Sequence, residues 1–287
     1  MTIAFALIRA LHFASVMTIF GATTFQFLSR RILRDSRLRG ALAAISVVAL
    51  LSAVLSLCLA SVQMTGDPDA MFDIQVISTV AAQTLYGNIF LVRLALLVGL
   101  VLLCVADAAP ALKATVSGVA LALLALTGHA AAAQGAQFKY ALAAVDALHL
   151  LTAGFWIGGL VALIPSAMAR PLDVPMLVQL LRLFSRWGMA AVAILMVAGT
   201  VNGIAILDTH GMAWSRAYLT WLAIKLVLAG LMIALALTNR FGLMPGLARG
   251  EKEAAETVPL TLFSELGCAA LILLAVGFLG LTAPMQM

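Results

Sequence analysis

Charged residues are scarce in this chain of 287 residues. Asp, Glu, Lys and Arg together make up 10% of the sequence, 64% is hydrophobic, and the mean hydropathy is +1.12. A soluble domain of average composition carries about 25% charged residues. The shortage of charge therefore argues against a soluble globular protein and predicts an integral membrane protein.

Cysteine is also scarce. Cys58, Cys104 and Cys268 lie in separate apolar runs without metal-ligand spacing, which argues against a disulfide framework or a cysteine metal site. The chain has no phosphate-binding GxxxxGK[ST] motif, so no ATP-driven step is expected. The net charge of +5 comes from residues in short loops between apolar runs, which indicates membrane orientation and not nucleic-acid binding.

Long apolar runs fill nearly the whole sequence. About 20 apolar residues in a helix cross about 30 Å of hydrocarbon. Because a lipid bilayer offers the backbone no hydrogen-bond partners, and the alternating pattern of a barrel is missing, the expected fold class is an all-α bundle of eight transmembrane helices. The predicted spans are 3–28, 41–64, 87–107, 113–134, 141–165, 186–207, 217–239 and 257–282.

Two further segments need an interpretation. Residues 74–86 are too short and polar to span, so they are predicted to lie at the interface before the third helix. The first apolar run is too long for the hydrophobic region of a signal peptide, and it is therefore expected to remain as an anchor.

The basic residues are distributed unevenly between alternate loops. One side of the membrane receives twelve, namely Arg30, Arg31, Arg34, Arg37, Arg39, Lys113, Arg170, Arg182, Arg186, Arg240, Arg249 and Lys252. The other side receives only Lys139 and Arg216. The positive-inside rule places the first set in the cytoplasm, and with eight spans both termini are then outside.

An internal repeat is suggested by two similar segments. RALHFASVMTIFGA at 9–22 matches DALHLLTAGFWIGG at 146–159 in Ala-Leu-His and again where Gly21 matches Gly158. Arg93 and Lys225 follow at nearly the same offset. The pattern predicts two parallel four-helix halves, about 1–135 and 136–287, within a single membrane domain covering 1–287.

Three histidines are predicted to lie at a similar depth. With a rise of about 1.5 Å per residue, His12, His129 and His149 lie about 13, 8 and 12 Å from the outer ends of their helices. Asp146 is three residues before His149, so the two share a helix face, where the carboxylate either orients the imidazole or is itself a ligand. These four residues form a candidate metal site. The alternative is that each histidine only forms a hydrogen bond between helices.

Other polar residues suggest an entry and a relay. His210 and Met212 lie in an outer loop, where they are either solvated or form an entry station for Cu(I), which favours imidazole and thioether ligands. Glu265, an isolated carboxylate in the inner part of the eighth helix, suits a proton relay or an inner ion station. Asn202 is a candidate for lining the same pathway.

Two cations are predicted inside the membrane as well. Arg93 and Lys225 lie in the outer halves of the third and seventh helices. They are expected either to pair with Asp146 or Glu265 or to extend toward the interface.

Seven segments together resemble the CopD copper-resistance family of bacterial inner-membrane proteins, over almost the whole chain. The most specific part is His149 followed by Trp156, Gly158 and Gly159. The segments are LHF, YGNIFLVRL, LTGHA, DALHLLTAGFWIGGL, RLFSRWGMAAVAILMVAGTVNG, AIKLVLAGLMIALALTNR and LFSELG.

The resemblance implies a non-enzymatic, eight-helix protein of the inner membrane that handles copper, commonly proposed to move it from periplasm to cytoplasm. It points to His12, His129, Asp146 and His149 as copper ligands, with Glu265 and Asn239–Arg240 as further family-like positions. A periplasmic CopC-like copper carrier is often the partner. This chain has no fused copper-binding domain and no methionine-rich capture motif, so such a carrier would be a separate protein.

Two alternatives remain open. A b-type haem protein for electron transfer needs two imidazoles that face each other. Three histidines at one depth permit a single haem, but the inner half has no second pair. The other alternative is a copper sensor or scaffold subunit without ion flux.

Overall fold

The computed structural model describes residues 2–29, 36–127, 136–210 and 215–282. Nearly all of these residues are helical and none of them is in a strand. Eight of the described helices are long and apolar enough to cross a membrane. The predicted all-α membrane fold with eight spans is confirmed.

The spanning helices are numbered α1 to α8. Their bounds are α1 Thr2–Ser29, α2 Ser36–Thr65, α3 Leu85–Val105, α4 Pro110–Ala122, α5 Ala136–Ala167, α6 Val174–His210, α7 Arg216–Thr238 and α8 Lys252–Leu279. A 3-10 turn, Leu123–Thr127, continues α4. A π-helical turn, Asn239–Leu243, and the short helix Met244–Ala248 continue α7.

The prediction that the sixth span begins at residue 186 is wrong, because α6 begins at Val174. The carboxylate of Asp173 accepts a hydrogen bond from the backbone N–H of Met176 at 2.9 Å, and this caps the new helix. Arg182 and Arg186 lie in the third and fourth turns of α6. Charged residues end an apolar run in the sequence without ending the helix.

The segment predicted to lie at the interface forms the helix Ile74–Gln83, capped by the Asp73 side chain. Thr84 then ends this helix and caps α3, because its hydroxyl oxygen accepts a hydrogen bond from the N–H of Gly87 at 2.8 Å. The short helix packs on α2 and α3. Its position at the membrane surface stays a prediction.

Helices α1 and α5 form the centre of the bundle. Half of the residues in their most apolar stretches are buried, against 11% in α6 and 6% in α7, which lie at the periphery. The two central helices approach closely at Gly21 and Gly158, since a Cβ atom on Gly21 would lie 2.8 Å from the Cα atom of Gly158. Such a close approach is possible because small residues let the backbones of two membrane helices come near each other.

The start of α1 and the end of α8 lie at one end of the bundle, where Gly277 of α8 packs on the backbone of Ala6 in α1. We call this the terminal end, and the other the basic end. At the basic end Asp107 bridges Arg39 at 2.9 Å and Lys113 at 3.5 Å. The hydrogen bond from Arg39 holds the pKa of Asp107 below its usual value. Which end faces the cytoplasm, and whether the halves form a repeat, stay predictions.

Candidate ion sites in the membrane core

Polar side chains inside the bundle form three groups. The N-terminal cluster lies on α1 and α3, and the C-terminal cluster lies on α5, α6 and α7, both in the half nearer the terminal end. The inner cluster lies nearer the basic end. The three clusters consist of Arg9, His12, Tyr86 and Arg93; of Asp146, His149, Asn202 and Lys225; and of Trp156, Asn239, Thr261 and Glu265.

His12 is held on both sides of its ring and is 4% exposed. Its Nδ1 atom lies 3.2 Å from the carbonyl oxygen of Ala49 and 3.1 Å from the hydroxyl of Ser52, both on α2. Its Nε2 atom forms a hydrogen bond with the Arg93 guanidinium. Because an arginine N–H can only donate, Nε2 is the acceptor and Nδ1 carries the proton. Both ring nitrogens are therefore occupied.

Arg93 is 5% exposed, and its Nε atom donates to the carbonyl of Ala120 at 3.2 Å. The expectation that it pairs with Asp146 or Glu265, or extends to the interface, is wrong. The nearby His12 ring and the Ala120 carbonyl bind its donors instead, so the guanidinium stays buried. Among the residues that the structure describes, no carboxylate forms an ion pair with it.

Arg9 adds a second guanidinium to the N-terminal cluster. Its Cζ atom lies 5.5 Å from the centre of the Phe13 ring. Its Nε atom is buried and makes no hydrogen bond to any described residue. The N-terminal cluster thus contains two cations and a neutral histidine.

The C-terminal cluster contains a carboxylate. The Oδ1 atom of Asp146 accepts a hydrogen bond from the side-chain amide of Asn202 at 3.1 Å. Among the described residues, neither Lys225 nor Arg9 forms an ion pair with Asp146, so the expected pairing of Lys225 stays a prediction. Asn202 therefore holds the outer carboxylate, and its own Oδ1 atom is buried without a partner in the described chain.

His149 differs from His12 in its bonding. The carbonyl of Leu195 lies beside its ring, yet the buried Nδ1 atom makes no hydrogen bond of normal geometry within the described ranges. The ring faces Gly199 of α6, where a Cβ atom would lie 3.4 Å from Cε1. A glycine on α6 therefore makes room for an imidazole whose nitrogen is unsatisfied.

The predicted metal ligands lie in the same half of the bundle, but the structure does not gather them into one site. His12 belongs to the N-terminal cluster, whereas Asp146 and His149 belong to the C-terminal cluster. His129 lies outside the described residues. Within those residues no three His, Cys, Asp or Glu side chains are arranged to hold a metal ion. The four-residue ligand set stays a prediction.

The predicted entry station cannot be placed. His210 is the last residue of α6, but its side chain lies outside the described residues, as does all of Met212.

Glu265 is the centre of the inner cluster and is 2% exposed. Its Oε2 atom accepts a hydrogen bond from the Trp156 indole at 3.2 Å, and its Oε1 atom accepts one from the Asn239 amide at 2.6 Å. The Thr261 hydroxyl donates to the side-chain oxygen Oδ1 of Asn239. The expectation of an isolated carboxylate is wrong, because Trp156 on α5 and Asn239 at the end of α7 supply partners that are far apart in sequence.

The π-helical turn that follows α7 positions this cluster. It begins at Asn239, and the next residue, Arg240, donates to the hydroxyl of Ser185 on α6 at 2.5 Å. Such turns often occur at functional sites. Trp156 lies two turns from His149 on α5, so one helix connects the C-terminal and inner clusters. Sequence reasoning missed Thr261, for which no motif gives a signal.

Two family models match the chain. Residues 1–140 match the model described as copper resistance protein D-like, N-terminal domain. Residues 178–279 match the model described as copper resistance protein D.

Individual relatives are similar over most of the chain. Copper resistance protein D of Pseudomonas syringae pv. tomato is 33% identical, covering 98% of this chain and 95% of that protein. Inner membrane protein YebZ of Escherichia coli is 27% identical, covering 96% and 97%. Copper transport protein CutJ of Bacillus subtilis is 30% identical over 56% of this chain and 28% of its own length. No solved structure matches the chain.

Proposed function

The chain belongs to the copper resistance protein D family, and from this premise we propose that it transports copper across the inner membrane, from periplasm to cytoplasm. The observation that carries the proposal is the buried Nδ1 atom of His149, which makes no hydrogen bond of normal geometry to a described residue and lies one turn from Asp146. The terminal end then faces the periplasm. A separate CopC-like protein would deliver copper there, with His210 and Met212 at the entry.

The proposed outer site is centred on the C-terminal cluster. Copper binds imidazole nitrogen well, and a coordinated ion would satisfy the Nδ1 atom of His149. The Asp146 carboxylate supplies charge and a second ligand, while Asn202 fixes its orientation. His129 and His12 complete the proposed set.

His12 joins the site only by exchanging a partner. Its Nε2 atom accepts from Arg93, so copper binds there only after this hydrogen bond breaks. The nearby cations Arg9 and Lys225 weaken the attraction of Asp146 for a metal ion. A transport site needs this intermediate affinity, because an ion held too tightly does not leave.

The inner cluster serves as the next station. Glu265 lies nearer the basic end and is joined through Trp156 to the helix that carries the outer site. We assign it the relay of a proton or of the copper ion. The two carboxylate oxygens of Glu265 accept hydrogen bonds from the indole N–H of Trp156 and the amide N–H of Asn239, which are both neutral. A proton or copper ion that arrives would replace these neutral donors and balance the charge of the carboxylate.

Uptake of radioactive copper into proteoliposomes tests the proposal directly. We expect uptake above that of protein-free liposomes, and its loss in Asp146→Asn. Asp173→Asn is the matched control, because Asp173 lies in a loop at the basic end and asparagine caps a helix equally well. Uptake equal to protein-free liposomes would refute transport, whereas bound copper without uptake would favour the sensor or scaffold alternative.

The haem alternative needs two imidazole nitrogens free to face one iron. Both nitrogens of His12 are in hydrogen bonds, so no contact favours haem over copper. A Soret absorption band in the purified protein would reverse this preference.

A further inference from the structure

A cavity of about 80 Å³ lies beside the N-terminal cluster. Arg9, His12, Tyr86, Arg93 and the hydroxyl residues Ser56 and Thr127 form its polar lining, and Phe13 and Phe90 are among its apolar lining. A single water molecule needs about 10–15 Å³ of such space. The cavity is therefore large enough for a small ion with water, and too small for a nucleotide or a haem.

The charge on this wall is positive and unbalanced. Two guanidinium groups line the cavity, and His12 is neutral in its hydrogen-bonding pattern. Every ion pair within the described ranges lies in the loops or at helix ends of the basic end, so none involves Arg9 or Arg93. Ionised groups inside a membrane are costly unless they are paired. An anion in the cavity would supply the missing partner.

The cavity also offers donors and few acceptors. The Nε atom of Arg9 is buried without a hydrogen bond. Arg93 uses two of its five N–H groups, on Ala120 and His12. The Tyr86 hydroxyl is a further donor on the wall. While Arg93 occupies the Nε2 lone pair of His12, a metal cation would meet two repelling guanidinium groups and no free imidazole nitrogen among the described lining residues.

We propose that the N-terminal cluster binds a small monovalent anion, such as chloride or nitrate, between the guanidinium groups of Arg9 and Arg93. The Tyr86 hydroxyl donates a further hydrogen bond to it. This site does not include the proposed copper ligands Asp146 and His149, but it shares His12 and Arg93 with the proposed copper binding at His12, for which the bond between these two residues breaks.

Thermal unfolding of the purified, copper-free full chain in a neutral detergent tests the site. Sodium gluconate is replaced stepwise by sodium chloride, bromide or nitrate at constant ionic strength. We expect a saturable rise in Tm of about 2–5 °C. The rise should be lost in Arg9→Gln and Arg93→Gln and kept in the matched control Arg216→Gln, which alters an exposed arginine at the terminal end.

A second measurement covers the case in which these variants do not fold. Bromide soaked into crystals of the unaltered protein should give an anomalous peak between the two guanidinium groups. A lack of that peak, or a Tm rise that persists unchanged in both arginine variants, would overturn the proposal. A rise produced only by added anionic phospholipid would also overturn it, since the ligand would then be a lipid phosphate.

Discussion

His12 and His149 occupy matching places on the two central helices, and each ring faces the next helix of its own half. On α2, His12 meets the Ala49 carbonyl and the Ser52 hydroxyl. On α6, His149 meets Gly199, which has no side chain to offer. The Nδ1 atom of His12 is therefore hydrogen bonded, whereas the Nδ1 atom of His149 makes no hydrogen bond of normal geometry to a described residue, with only the Leu195 carbonyl beside the ring.

The cations differ in the same way. Arg93 donates directly to His12, whereas Lys225 forms no ion pair with Asp146 among the described residues. Position 9 carries an arginine where the matching position 146 carries an aspartate. The N-terminal cluster is thus suited to an anion and the C-terminal cluster to a metal cation. Matching positions in two similar halves do not imply matching chemistry.

The largest expected effect comes from separating the two halves. Gly158→Leu would force α1 and α5 apart, because the backbone of Gly21 already fills this space. We expect the free energy of unfolding to fall by about 3 kcal/mol or more, with loss of both clusters. Denaturation in mixed detergent micelles measures it. Gly99→Leu on α3 is the control, since a Cβ atom there meets nothing within 4 Å.

Removal of each histidine compares the two clusters directly. We expect His149→Ala to weaken copper binding about 100-fold and His12→Ala about tenfold, because the lone pair of His12 is shared with Arg93. Titration of the purified protein with a competing copper chelator measures both. Leu148→Ala, which alters an exposed neighbour on α5, should have no effect. An equal loss of copper affinity in both histidine variants would contradict the proposed difference between the two clusters.

Arg93→Leu should make His12 resemble His149. The change removes the donor to the Nε2 atom, which releases a lone pair at the cost of about one hydrogen bond. We expect copper affinity to rise by up to about tenfold, corresponding to about 1.4 kcal/mol. The same chelator titration applies, with Arg216→Leu as control. An unchanged affinity in folded protein would remove His12 from the ligand set.

Glu265→Gln should have the smallest effect on binding. Glutamine keeps the volume and one acceptor but cannot accept from Trp156 and Asn239 as a carboxylate does. We expect unaltered copper stoichiometry and severalfold slower uptake into proteoliposomes. Ser264→Ala is the control, because the Ser264 hydroxyl bonds only to its own helix at Leu260. A copper uptake rate equal to that of the unaltered protein would contradict the proposed relay role of Glu265.

Much of the fold could be predicted because a lipid bilayer imposes a simple rule on the chain. Apolar length determines a span, and seven of the eight spans begin and end close to their expected positions or run into residues outside the described part. The early start of α6 was missed because Arg182 and Arg186 interrupt its apolar pattern in the third and fourth turns and its cap, Asp173, is a local contact. The close contact of α1 and α5 could be expected from Gly158.

The candidate sites were less predictable. Depth along a helix follows from the sequence, so His12, Asp146 and His149 were correctly assigned to one half of the bundle. Which direction a ring faces depends on the packing of other helices. For this reason the Arg93 bond to His12 and the amide of Asn202 on Asp146 were not foreseen.

The sequence by itself determined the membrane class, the helical fold and the approximate depth of each polar residue, since all three follow from hydrophobicity and a fixed rise per residue. Only the tertiary structure decided which polar groups meet. Trp156 and Glu265 are 109 residues apart in sequence, and they form a hydrogen bond because α5 packs on α8. The free energy of a buried polar group depends on its partners, and those partners are chosen by helix packing.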